Sequence, residues 1–104
     1  MKINGLNIPE EKLSALCQKY LVKELSIFGS VLRDDFKSQS DIDLLITFNE
    51  KANYSLFDIV RIQEELAKLF GRPVDLVSRR AVERSRNLYR KKAILDTAKI
   101  IYAT

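Results

Sequence analysis

Phe28-Gly29-Ser30-Val31-Leu32-Arg33 and, beyond a short polar interval, Ser40-Asp41-Ile42-Asp43-Leu44-Leu45-Ile46-Thr47-Phe48 are the residues from which the fold is read. Lys23 to Phe28 alternates polar and apolar side chains, the pattern of a short strand, and Gly29 stops it. Ser30 to Phe36 reads as a short helix opening directly off that strand, and Lys37 to Ser40 as a polar loop. Ile42 to Phe48 carries apolar residues on both faces, as a central strand covered on two sides requires.

Towards the N-terminus, Asn7 is positioned to cap a helix with Pro9 in its first turn. Glu10 and Glu11 favour the positive end of its dipole. Leu13, Leu16, Cys17, Tyr20 and Leu21 then recur at helical spacing, which makes Cys17 an inert core thiol. Towards the C-terminus, Ser55 and Asp58 resemble a capping box. The helix they open is expected to bury Leu56, Ile59, Val60, Leu66, Leu69 and Phe70, with part of Gln63, and to stop at Gly71. Pro73 to Val77 reads as a third strand. A basic helix follows from about Ala81 to Lys92, with Val82, Leu88 and Tyr89 as its apolar side. Ala93 to Tyr102 is read as helix, and Tyr89 and Tyr102 as packing residues. The alternation predicts an α/β (α+β) architecture, a small mixed sheet flanked by helices.

The whole chain, residues 1–104, is expected to form one domain. It is 46% hydrophobic and 31% charged, a globular balance. The single cysteine excludes an internal disulfide framework. The absence of histidine excludes a Ser-His-Asp triad and any His-ligated metal, so chemistry must run on carboxylates, hydroxyls, Lys, Arg or an oxygen-held metal. No apolar run approaches the roughly 20 residues of a membrane span and the N-terminus lacks a signal-peptide core, which leads to an expected cytoplasmic location. Of the net charge of +4, residues 79–92 alone contribute +6 and the rest of the chain −2. Basicity so localised marks a docking face for an acidic partner or for a partner's nucleotide, or a solvated helix face.

Three features carry chemistry. Gly29-Ser30 at a strand-to-helix junction lets backbone amides approach a phosphate, with the Ser30 hydroxyl as an added donor; the alternative is a plain turn. Asp41 and Asp43 project to the same side of a strand, and their repulsion calls for a cation between them, Mg²⁺ by ligand type, unless both merely solvate a strand end. Asp75 interrupts an apolar strand, either as a third carboxylate brought beside that pair or as a water-facing residue of an edge strand. Three carboxylates around two metal ions beside a phosphate-gripping turn are the components of in-line nucleotidyl transfer.

Gly29-Ser30, ten residues, Asp41-Ile42-Asp43, and later Val74-Asp75-Leu76-Val77 resemble the signature of the DNA polymerase β-type nucleotidyltransferase superfamily, and over the whole chain the minimal nucleotidyltransferases (MNT). These are typically encoded beside a HEPN-domain protein. The resemblance implies that Gly29 and Ser30 hold the β- and γ-phosphates of ATP, and that Asp41, Asp43 and Asp75 ligate two Mg²⁺ ions. It further implies that Asp75 helps deprotonate the incoming hydroxyl. Arg33 matches a frequent family arginine, for triphosphate contact or for bracing the carboxylates. Val31 and Leu32 depart from the polar-small pair common there. The implied function is that of a type VII-like antitoxin, a protein adenylyltransferase moving AMP from ATP to a tyrosine hydroxyl of a HEPN RNase toxin, in a hetero-oligomer with it. Two other readings are a binding-only antitoxin with a vestigial site, and a nucleotidyltransferase acting on RNA or a small molecule. With 104 residues there is no room for separate substrate-gripping domains, so the acceptor must be presented by another protein.

Overall fold

The computed structural model describes residues 1–32 and 41–104. The chain opens with a small hairpin, β1 (Lys2–Ile3) paired antiparallel to β2 (Leu6–Asn7). Asn4 and Gly5 take φ of +49° and +85°, the two left-handed positions that a two-residue hairpin turn needs and that Asn-Gly supplies. Asn7 therefore pairs with Lys2 and does not cap the helix; the residue preceding α1 (Glu10–Lys19) is Pro9. Leu13 and Cys17 are the buried face of α1.

β3 (Val22–Phe28) runs into a 3₁₀ turn, Gly29–Leu32. The helix expected over Ser30 to Phe36 is thus 3₁₀ at its start. Its remainder, the polar loop to Ser40, and the role expected of Arg33 lie outside the described residues. β4 (Ile42–Phe48) follows, with the bounds expected of it. α2 (Leu56–Phe70) opens where the Ser55 N–H donates to Asp58 Oδ2 at 2.8 Å and closes on Gly71 at φ +68°. Then come β5 (Val74–Ser78), α3 (Arg79–Glu83), α4 (Leu88–Thr97) and β6 (Lys99–Ala103).

The main sheet has the order β5-β4-β3-β6, with β4 parallel to β5 and β3 antiparallel to both β4 and β6. One face, built on Leu25, Ile27, Ile42, Leu44, Ile46, Val74 and Leu76, is closed by Leu13 and Cys17 of α1 and by Ile62 and Leu66 of α2. Burying each such aliphatic chain is worth about 1.5–3 kcal/mol, which makes this layer the main source of stability. The second face holds a smaller cluster of Phe28, Leu45, Val82 and Ile94, with Val77, Leu95 and Ala98 against it. Among the described residues no helix is long and apolar enough to cross a membrane.

Three further expectations are corrected. On α2 the buried stripe runs through Ile62 and Leu66, whereas Leu56 is 81% and Val60 50% exposed, because they sit off that stripe near the helix start. The basic segment is two helices, not one. Asn87 Oδ1 accepts the Arg90 N–H at 3.1 Å and starts a new helix whose inward side is Ile94, Leu95 and Ala98. That phase turns Leu88 and Tyr89 outward, 72% and 92% exposed; of the expected apolar side, only Val82 is inward. Finally, the helix assigned to Ala93–Tyr102 ends at Thr97, and the β-prone Ile100-Ile101-Tyr102 pairs with β3 as β6. Tyr102 packs against the core as expected.

Candidate active site

Across the parallel β4–β5 ladder Asp43 is the register partner of Asp75. Neighbouring strands lie about 4.8 Å apart, and residues in register point to one face. The flanking pairs identify that face: Ile42/Val74 and Leu44/Leu76 enter the large core, whereas Leu45/Val77 enter the smaller one. Asp43 and Asp75 therefore share the side covered further along by α3 and α4. Asp41 precedes β4, and the Ile42 N–H donating to Pro73 O at 2.9 Å carries the ladder up to it. The alternation of the strand directs Asp41 to the face of Asp43. Asp41 and Asp75 are exposed and Asp43 is half-buried. β5 is an edge strand, and Asp75 is exposed on it opposite Asp43.

The elbow after β3 closes the site from the other side. Phe28 is the register partner of Asp43, so Gly29 follows directly beside that carboxylate. Gly29 has φ +76°, and a Cβ built on it would overlap Asp43 Oδ2 and lie 3.1 Å from its Cγ. Two independent constraints, left-handed backbone and close approach, thus require glycine there. Ser30 follows in the 3₁₀ turn; its side chain and Arg33 lie outside the described part of the chain.

Asn4 is a contributor that sequence reasoning missed. Its Nδ2 donates to Val31 O at 3.0 Å and ties the N-terminal hairpin to the 3₁₀ turn. Asn-Gly signals the hairpin turn, but nothing local signals a reach of 27 residues along the chain. A cavity of about 310 Å³ lined in part by Phe48, Tyr54, Arg79 and Arg80 lies at the opposite end of β4 and includes none of these carboxylates.

Among the described residues, no group of three or more carboxylate or cysteine side chains is placed to hold a metal ion. The donor set still fits Mg²⁺. That ion takes hard oxygen ligands and is commonly held by one or two carboxylates together with substrate phosphates, and here two carboxylates stand in register.

Comparison with known proteins identifies the family. A family model described as a nucleotidyltransferase domain matches residues 10–101. A Methanocaldococcus jannaschii protein assigned by inference as a protein adenylyltransferase is 39% identical over 74 residues, covering 71% of this chain and 77% of that protein. Protein adenylyltransferase MntA of Thermococcus cleftensis is 35% identical over 68 residues, 65% of this chain and 67% of the relative. Among solved structures, one assigned as a minimal nucleotidyltransferase superposes with a TM-score of 0.68 at 31% identity, covering 94% of each chain. A toxin–antitoxin structure with AMP-PNP gives a TM-score of 0.69 at 18% identity, over 93% of this chain and 75% of that one. The complex of a tri-AMPylated Shewanella oneidensis HEPN toxin with its MNT antitoxin gives 0.59 at 21%, over 91% and 70%. The last two likenesses are of fold.

Proposed function

The chain belongs to the nucleotidyltransferase family, and from that premise we propose that it is a Mg²⁺-dependent protein adenylyltransferase, the antitoxin of a HEPN/MNT pair, acting as one domain over residues 1–104. The acceptor is a tyrosine hydroxyl of the HEPN toxin, the donor is ATP, and the two proteins form a hetero-oligomer in the cytoplasm. The observation that carries the reading is the register of Asp43 with Asp75, on one face and against the Gly29 elbow.

In the reaction the acceptor oxygen attacks the α-phosphorus of ATP in line. The new O–P bond forms as the bond from the α-phosphorus to the bridging oxygen breaks, and pyrophosphate leaves. Asp41, Asp43 and Asp75 would hold Mg²⁺, which would neutralise charge on the triphosphate and the leaving group. The backbone after Gly29 and the Ser30 hydroxyl grip the β- and γ-phosphates, and Arg33 contacts the triphosphate or braces the carboxylates. Asp75, exposed on the edge strand, takes the proton of the incoming hydroxyl and releases it to water. Its position opens the site sideways, so that a bulky acceptor side chain reaches the α-phosphorus without crossing the sheet.

Named relatives support the donor and the acceptor class: proteins called adenylyltransferases, a toxin–antitoxin structure with AMP-PNP, and an AMPylated HEPN toxin. The test is to incubate this chain with ATP, Mg²⁺ and the HEPN protein encoded beside it, and to map the partner by peptide mass spectrometry. AMP on a tyrosine is the expected result; a partner left unmodified refutes the assignment.

A further inference from the structure

Among the described residues, nothing packs on the outward side of α4, which is largely apolar. Leu88, Tyr89, Lys92, Ala93, Asp96 and Thr97 line a groove of about 550 Å³ along it, and Leu88 and Tyr89 stand 72% and 92% exposed. Exposed apolar side chains gathered on one helix face mark an interaction surface more than a solvated one. The groove is lined by Lys92 beside Asp96, and the chain next to it in sequence carries Arg84, Arg86 and Arg90, which like Lys92 are exposed and make no ion pair among the described residues.

The register of the sheet gives this groove a direction. β6 begins with Lys99 opposite Ile27, at the end of β3 where Phe28 meets Asp43. α4 ends one residue before β6, so its C-terminus lies at the carboxylate end of the sheet. α3 begins directly after Ser78, whose partner Ile46 is at the other end, so α4 starts there and runs towards the site. Its inward residues join Phe28 and Leu45 on the same face as Asp43 and Asp75. Over 10 residues the helix spans about 15 Å.

We propose that the outer groove of α4 docks an acidic amphipathic helix of the acceptor protein and leads its hydroxyl to the Asp43–Asp75 end. This rests on the function proposed above and names the surface through which that acceptor is held. A second copy of this chain is disfavoured as occupant, because the two basic rims would repel. RNA is disfavoured, because a phosphate backbone would leave Leu88 and Ala93 in water and finds a single aromatic, Tyr89, to stack on. An acidic helix satisfies both parts at once, its apolar stripe on Leu88, Tyr89 and Ala93 and its carboxylates on the arginines.

The experiment measures binding of the HEPN protein encoded beside this chain by calorimetry, separately from AMP transfer. Two double variants are used, Leu88→Ala with Tyr89→Ala, and Arg86→Glu with Arg90→Glu. Each is expected to weaken the complex at least about tenfold, leaving ATP affinity and the melting temperature unchanged, and the wild-type complex is expected to weaken as salt rises. Variants that bind like wild type, or a mixed-sequence single-stranded RNA that displaces the partner, would overturn the proposal. Binding that responds to these variants without any AMP transfer overturns the adenylyltransferase reading alone. Transfer with binding indifferent to them overturns the docking surface alone, and no complex with the wild-type chain overturns both.

Discussion

Asp43 and Asp75, 32 positions apart in the sequence, are direct partners in the parallel β4–β5 ladder. Strands so paired run about 4.8 Å apart and put both side chains on one face, where like charges repel. A strand pair that keeps them so gains from a cation and a polyphosphate at that place.

Gly29 is the sharpest probe of the elbow. Gly29→Ala puts a methyl group into Asp43 and strains a left-handed backbone, whereas Gly71 has a similar φ and nothing within 4 Å of its added Cβ. Both substitutions are expected to cost about 1–2 kcal/mol in denaturant unfolding. Only Gly29→Ala should also cut AMP transfer, by about 100-fold, since it alone displaces a carboxylate of the site. Equal activity in the two variants would show that the elbow does not position the chemistry.

Asn4 is expected to act through the 3₁₀ turn. Asn4→Gly keeps the left-handed conformation and deletes the bond to Val31 O, so stability should fall by about 1 kcal/mol. ATP affinity should fall several-fold with it, as the turn carrying Gly29 and Ser30 loosens. Asn4→Ala adds backbone strain and should be less stable than Asn4→Gly with the same loss of affinity. Isothermal titration with ATP and Mg²⁺ checks both.

Much of this arrangement was legible in the sequence, and the parts that were not have a common cause. The β4 boundaries, the Ser55–Asp58 cap and the Gly71 stop are written in local residue patterns, and the structure shows all three. The turn at Gly29 and the place of Asp43 at the start of β4 were legible because strand alternation and glycine chemistry act over a few residues. What failed depended on helical phase or on distant partners. Asn87 restarts a helix and thereby turns Leu88 and Tyr89 outward. Ile100 and Ile101 suit either a helix or a strand, and the free edge of β3 decides for the strand. The reach of Asn4 to Val31 depends on tertiary structure and leaves no sequence pattern.

A clamp between α1 and α2 should set the acid limb of stability. The Tyr20 hydroxyl donates to Glu65, and Lys19 pairs with the same carboxylate at 3.2 Å. The Tyr20 hydrogen bond foremost, reinforced by Lys19 and opposed by desolvation, holds the Glu65 carboxyl below its usual range. A carboxyl lowered in the folded state binds fewer protons there than in the unfolded chain. Its contribution is therefore complete above the ordinary value, about 4.3, and is lost as pH falls through the folded one. Tyr20→Phe should flatten the decline in melting temperature in that acid range; an unchanged slope would rule the clamp out.

Cys17 should behave as core. It is 1% exposed, and burial pushes its thiol up to about 12, so almost no thiolate exists at pH 8. An aromatic disulfide reagent is expected to leave the folded protein unmodified at that pH and to react fully in denaturant. Prompt reaction of the native chain would contradict the packing of α1 on the sheet.

The central claim is most directly tested with two radiolabels. ATP labelled at the α-phosphate and ATP labelled at the γ-phosphate are each given to this chain with Mg²⁺ and its HEPN partner. Adenylyl transfer predicts a partner labelled from the α-position only, γ-label recovered as pyrophosphate, and a loss of at least about 100-fold in both Asp43→Asn and Asp75→Asn. Label arriving from the γ-phosphate, or α-label undiminished in those two variants, would contradict it.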